Sequence, residues 1–103
     1  MADYLLVTVA RGPAYDTSRG LREQAGWDEH AAFMDGLTAE GVVVLGGPVG
    51  DVDGEEVLLV VAVESEAEIR RRLADDPWQG TVLTIASVKP WSVWLRTDQG
   101  RRR

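Results

Sequence analysis

An α+β sandwich, two helices on one face of a four-stranded antiparallel sheet, is the fold class this chain predicts. Three observations carry that expectation. Runs of β-branched and aliphatic residues alternate with helix-like stretches in the order strand, helix, strand, strand, helix, strand. Glycine, proline and aspartate punctuate most of the joins. The 103 residues suffice for one core and leave little for a second. This order makes two split βαβ halves, the ferredoxin-like βαββαβ arrangement.

The elements follow in turn. "YLLVTVA", Tyr4 to Ala10, is rich in strand formers and stops at Arg11-Gly12-Pro13, which predicts the first strand. A polar connection, "RGPAYDTSRGLREQAG", follows, with a helical turn expected from Leu21 to Gln24. "GWDEHAAFMDGL", Gly26 to Leu37, has helical spacing, and Gly41 stands where a C-terminal glycine cap belongs. "VVVL", Val42 to Leu45, and "EVLLVVAV", Glu56 to Val63, give the second and third strands. The "GGPVGDVDGE" between them reads as a loop. In it, Asp53-Gly54 is a hairpin signal, and Gly46, Gly47 and Gly50 permit unusual backbone angles. Ser65 and Glu68 have capping-box spacing and open a short helix that ends before Pro77, with Ile69 and Leu73 facing inward. "TVLTIASV", Thr81 to Val88, is the fourth strand, and Pro90 is expected to bend the extended tail "WSVWL". Residues 1–95 thus read as one domain and 96–103 as a basic tail.

Composition narrows the functions. A formal net charge of −6 argues against nucleic acid, whose binding draws on clustered lysine and arginine. The one dense basic run, Arg101 to Arg103, reads as a solvated terminus. With no cysteine, disulfides and thiolate chemistry are excluded. The longest apolar run, Val57 to Val63, is far short of the ~20 residues that cross a bilayer, and no basic-then-apolar leader precedes the first strand. A soluble cytoplasmic chain with no membrane partner is expected.

Both alternating faces of the strands are largely apolar, whereas an antiparallel sheet with one wet face alternates apolar with polar. Two helices cover one face, and no third layer is left for the other. The simplest cover is a second copy of the chain, so a homodimer packed sheet to sheet is expected, with Trp91 and Trp94 contributing.

The first helix carries the only histidine, His30. At ~100° per residue, Gly26, Trp27, Phe33, Met34 and Leu37 fall within about 60° of it, while Asp28, Glu29, Asp35 and Glu40 fall elsewhere. An imidazole on the buried face is either a hydrogen-bonded core filler or a general acid or base. The second role needs an orienting partner, and "ADDPW" offers one. Asp75 and Asp76 both sit at a helix C-terminus, where the dipole disfavours carboxylates, and Pro77 pushes Asp76 into extended geometry, away from the helix axis. With both helices on one sheet face, His30 and Asp76 can meet between them. Trp27 and Trp78 are placed to wall a pocket for a flat or apolar small molecule, or to serve as ordinary core.

"LGGPVGD" lacks the spacing and the Lys-Ser/Thr of a phosphate loop, so Gly47 and Pro48 are expected at the pocket rim as substrate contacts. One histidine with scattered carboxylates has no metal-ligand spacing, so neither metal nor cofactor is expected. A Ser–His–Asp triad stays open through Ser87, although no G-x-S-x-G elbow is present.

"WDEHAAFMDGLTAEG", "VVLGGPVGD" and "LADDPW", in that order and at these distances, resemble the YCII-related domain family, small proteins of the dimeric α+β barrel type. The likeness spans Tyr4 to Leu95. It implies a ferredoxin-like fold with sheets packed in a dimer, and an active site of a histidine and an aspartate that map by motif onto His30 and Asp76. One protein resembling the family is a dehydrochlorinase of a chlorinated hydroxyquinol. Related barrels include muconolactone isomerases and cofactor-free monooxygenases, all acting on small cyclic molecules. The connection from Arg11 to Gly26 is longer than in the shorter members, which implies a covered or reshaped pocket. The resulting expectation is a cofactor-independent lyase- or isomerase-like enzyme. The alternative is a non-catalytic dimeric module that binds a small metabolite or a partner protein.

Overall fold

In the computed structural model, residues 3–51 and 55–97 are described. Four strands, β1 (Tyr4–Arg11), β2 (Val43–Pro48), β3 (Glu56–Val61) and β4 (Leu83–Trp91), form one sheet in the order β2-β3-β1-β4, with every pairing antiparallel. Helices α1 (Trp27–Ala39) and α2 (Glu66–Leu73) connect them. This is the ferredoxin-like α+β topology.

Period-two alternation builds the core. Leu5, Val7 and Val9 of β1 are buried on one face, with Val61, Leu59 and Val57 beside them on β3. Leu37 of α1 and Ile69 and Leu73 of α2 join the same cluster, so both helices lie on that face. Burying a side chain of this size contributes about 1.5–3 kcal/mol, and these residues dominate the cohesion of the fold.

Both helices end as their sequences dictate. Gly41, at φ 81°, donates to Thr38 O, and Val42 N donates to Leu37 O, a paired closure that needs a left-handed residue at Gly41. Ser65 Oγ accepts from Glu68 N at the start of α2. Glu66 and Glu68 in its first turn and Arg70, Arg71 and Arg72 in its last complement the helix dipole.

Several strand boundaries differ from the expectation. β2 does not stop at Leu45 but runs on through Gly46, Gly47 and Pro48, which pair with Leu59, Leu58 and Val57. β4 does not bend at Pro90 but continues to Trp91, with Pro90 opposite Leu5. Both are edge strands, where an outward-facing proline removes no ladder hydrogen bond. Gly46 and Gly47 are not at positive φ, unlike Gly50. Gly46 instead lets β2 approach its neighbour: a Cβ there would lie 2.7 Å from Leu59 Cδ2. β3 ends two residues early, at Val61. The Asp53-Gly54 turn and the Arg101 to Arg103 run lie outside the described residues.

The long connection after β1 is anchored at its start. Gly12 N and Ala14 N donate to Val82 O and Thr81 O. At its centre Gln24 is buried, its amide donating to Asp16 O, Arg19 O and Gly20 O while its carbonyl accepts from Asp16 N. One glutamine thereby gathers a polar loop that has little apolar content of its own. Within the loop, the Ser18 hydroxyl, then its amide, hold the Asp16 carboxyl below the ordinary carboxylate range, with Arg19 adding to the effect.

Candidate functional site

Gly26 caps the start of α1, and its φ of 84° turns the chain sharply into the first turn. His30 follows one turn later, its backbone N donating to Gly26 O. After α2 the chain tightens through Ala74 and Asp75, and Asp76 turns back toward α1. The structure brings His30 and Asp76 together: His30 Nδ1 lies 2.8 Å from Asp76 Oδ2 and 3.0 Å from Oδ1. Their side chains are 11% and 7% exposed, so the contact is largely withdrawn from water. Asp75 is exposed. Of the two carboxylates at this helix end, one is solvated and the other is committed to the imidazole.

Asp76 is held in turn by the chain after it. Trp78 N donates to Asp76 Oδ1 at 2.9 Å, a short-range turn around the carboxylate. A carboxylate against Nδ1 requires that nitrogen to donate, so neutral His30 keeps its lone pair on Nε2. Nε2 makes no hydrogen bond to any described residue, and it is the ring nitrogen left for a ligand. An imidazole with a fixed tautomer, supported on the far side, is able to accept a proton at Nε2.

An aromatic stack fixes the ring plane. The His30 and Trp78 rings are parallel to within 12° with centroids 4.2 Å apart, and Trp27 packs at 48° against both, at 5.8 Å. Trp78 Nε1 donates to Ala25 O at 2.8 Å, tying this residue to the entry of α1. Trp78 is only 2% exposed and stands behind the imidazole rather than lining the cavity. Trp27 and His30 line the cavity and Trp78 does not, so its expected role as a pocket wall gives way to that of a backing for His30.

The cavity itself has a volume of about 460 Å³ and lies between the helices and the inner sheet face. Its walls are mostly apolar, with Met34, Leu73, Leu59 and Leu83 among them, and its polar side chains are His30, Asp35, Thr38, Asp76 and Gln79. Gly47 and Pro48 lie on its rim, and so does Leu21 from the long connection. Leu45, Gly46, Gly47 and Pro48 also border a shallower groove on the opposite sheet face, so this segment of β2 serves both. Ser87 does not line the cavity. Among the described residues no group of three or more His, Asp and Glu side chains is placed to hold a metal ion.

Asp35, Thr38, Gln79 and Leu21 were not singled out by sequence. Asp35 is about 140° around α1 from His30 and joins the cavity only because its mouth spreads over the flank of the helix. The other three carry no motif, and only the closed path of the loops brings Leu21 and Gln79 here.

The family model of the YCII-related domain matches residues 5–92. The chain belongs to the YCII-related domain family. The match covers all four strands and both helices, and it includes His30 and Asp76. No curated protein and no solved structure matches the chain at significance. For this YCII-related chain, the chemistry of the site rests on its own geometry. Among the described residues no helix is long and apolar enough to cross a membrane.

Proposed function

We propose that this YCII-related protein is a cofactor-independent acid–base enzyme of the lyase or isomerase kind, acting on a small cyclic or aromatic substrate. The observation that carries the reading is the His30–Asp76 contact at the edge of an apolar cavity, with Nε2 as the one unbonded nitrogen of the ring. In this reading Nε2 takes a proton from the substrate, Asp76 holds the imidazolium that results, and the proton is returned to another substrate atom. A flat substrate is supported by the shape of the site, where Trp27, Gly47 and Pro48 border the space before the ring. Such proton transfer is worth about 10²–10⁴-fold in rate.

The test begins with a ligand. Hydroxylated aromatics and lactones are screened for compounds that raise the melting temperature, and those that bind are followed for turnover. His30→Gln is expected to lower turnover by about 10²–10⁴-fold while the fold is kept, as judged by circular dichroism. A His30→Gln variant unchanged in both binding and turnover would leave the imidazole a structural group and the protein a binding module.

The same reading includes a homodimer packed sheet to sheet, in the cytoplasm. It is supported by the outer sheet face, where Leu6, Leu45, Leu58, Val60 and Trp91 border a groove. Leu45 is 66% exposed and Trp94 90%, a large apolar surface for one chain to leave in water. Light scattering at micromolar concentration is expected to return twice the chain mass, and a monodisperse monomer would remove the dimer.

A further inference from the structure

We propose that the cavity selects a ligand whose flat apolar body carries a positively charged group, and that Asp35 at its mouth is the specificity-determining residue. The inference rests on the reading above only in taking the same cavity as the ligand site, and it requires no catalysis.

The charge inventory of the walls is one-sided. The ionisable side chains lining the cavity are His30, Asp35 and Asp76, and no lysine or arginine is among its lining residues. Asp76 is occupied by Nδ1 of His30 and by Trp78 N. Asp35 has no hydrogen bond or ion pair to any described residue, so its carboxylate is the charge at the mouth with no internal partner.

Three arginines of the neighbouring elements are engaged elsewhere. Arg72 is paired with Glu40, and Arg70 with Glu66. Arg11, on the inner face of β1, lies over the Tyr15 ring at 4.4 Å. A carboxylate- or phosphate-bearing ligand would therefore enter a site lined by negative charge, in a chain of net charge −6, with no cation among the walls to receive it.

A protonated amine finds the opposite. Asp35 stands five residues beyond His30 on α1, about 7.5 Å along the axis. That spacing suits a ring packed against Trp27 and His30 with a short aminoalkyl arm reaching the mouth. Thr38, one turn further and also lining the cavity, supplies a hydroxyl oxygen beside it, already engaged as donor to Met34 O and free to accept.

Three probes on one phenylpropyl skeleton separate the possibilities: 3-phenylpropylamine, 3-phenylpropanoate and the uncharged 3-phenylpropanol, titrated into the full chain by calorimetry and by NMR shifts of Trp27 and His30. At low salt the amine is expected to bind roughly 10-fold or more tighter than the carboxylate, with the alcohol between them. In Asp35→Asn, and in about 0.5 M salt, the ratio of amine to alcohol should collapse toward one. Asp35→Glu, which keeps the charge, should retain most of the preference. Equal or tighter binding of the carboxylate, an amine preference that survives Asp35→Asn, or binding that leaves the Trp27 and His30 signals unmoved would each overturn the inference. An amine preference without any His30-dependent turnover keeps this inference and removes the enzymatic reading. His30-dependent turnover confined to anionic substrates does the reverse.

Discussion

Replacing Trp78 with alanine is expected to destabilise the protein by about 3–5 kcal/mol, the range for deleting a fully buried aromatic. The indole is buried, packs against His30 and Trp27, and makes one hydrogen bond, to Ala25 O. Alanine would leave a void between the end of α2 and the start of α1 and strand the Ala25 carbonyl. Chemical denaturation measures the loss directly, and the melting temperature should fall by at least ~12 °C for a domain of this size. Trp78→Phe should recover most of the packing and lose chiefly the hydrogen bond, about 0.5–1.5 kcal/mol. A loss below 1 kcal/mol in Trp78→Ala would contradict the account of this residue as the backing of His30.

Asp76→Asn should harm the chemistry on the scale of losing the imidazole itself. Its amide can still accept from Trp78 N through oxygen, but then its nitrogen, a donor, faces His30 Nδ1. Nδ1 must accept, the proton moves to Nε2, and the lone pair leaves the cavity side of the ring. Turnover of whatever substrate the screen identifies is expected to fall about 10³–10⁴-fold, the scale for an imidazole locked in the wrong tautomer. Nitrogen-15 NMR gives a readout that needs no substrate: neutral His30 should carry its proton on Nδ1 in the native protein and on Nε2 in the variant. The same tautomer in both would remove the orienting role of Asp76. The structural cost should be modest, about 1–3 kcal/mol for a weakened buried charge-assisted bond.

Much of this geometry was legible in the residues, and the exceptions have physical causes. The meeting of His30 and Asp76 followed from topology, because both helices must lie on one sheet face and Asp-Pro turns its carboxylate off the helix end. Gly41 marked the end of α1 because only a left-handed residue closes the helix as seen there. The extents of β2 and β4 were less visible. Gly46, Gly47, Pro48 and Pro90 are poor strand formers by propensity, and only their place at the two sheet edges makes them acceptable. Sequence leaves Trp78 open between pocket wall and core because its proximity to Asp76 says nothing of where its ring points; the turn that wraps the carboxylate decides that. Gln24 and Leu21 were invisible for a related reason. A glutamine in a polar stretch carries no periodic signal, and its burial exists only once the loop has closed around it.

The glycine pair of β2 has a thermodynamic meaning. Leu45, Gly46, Gly47 and Pro48 border the cavity on one side and the outer groove on the other, and at Gly46 and Gly47 the partition is a single thickness of main chain with no side chain on it. A ligand that displaced this main chain would displace the surface offered on the other side. Whatever free energy a ligand spends or gains in shifting that partition is shared with any partner seated on the outer face, and reciprocity makes each strengthen or weaken the other by the same factor.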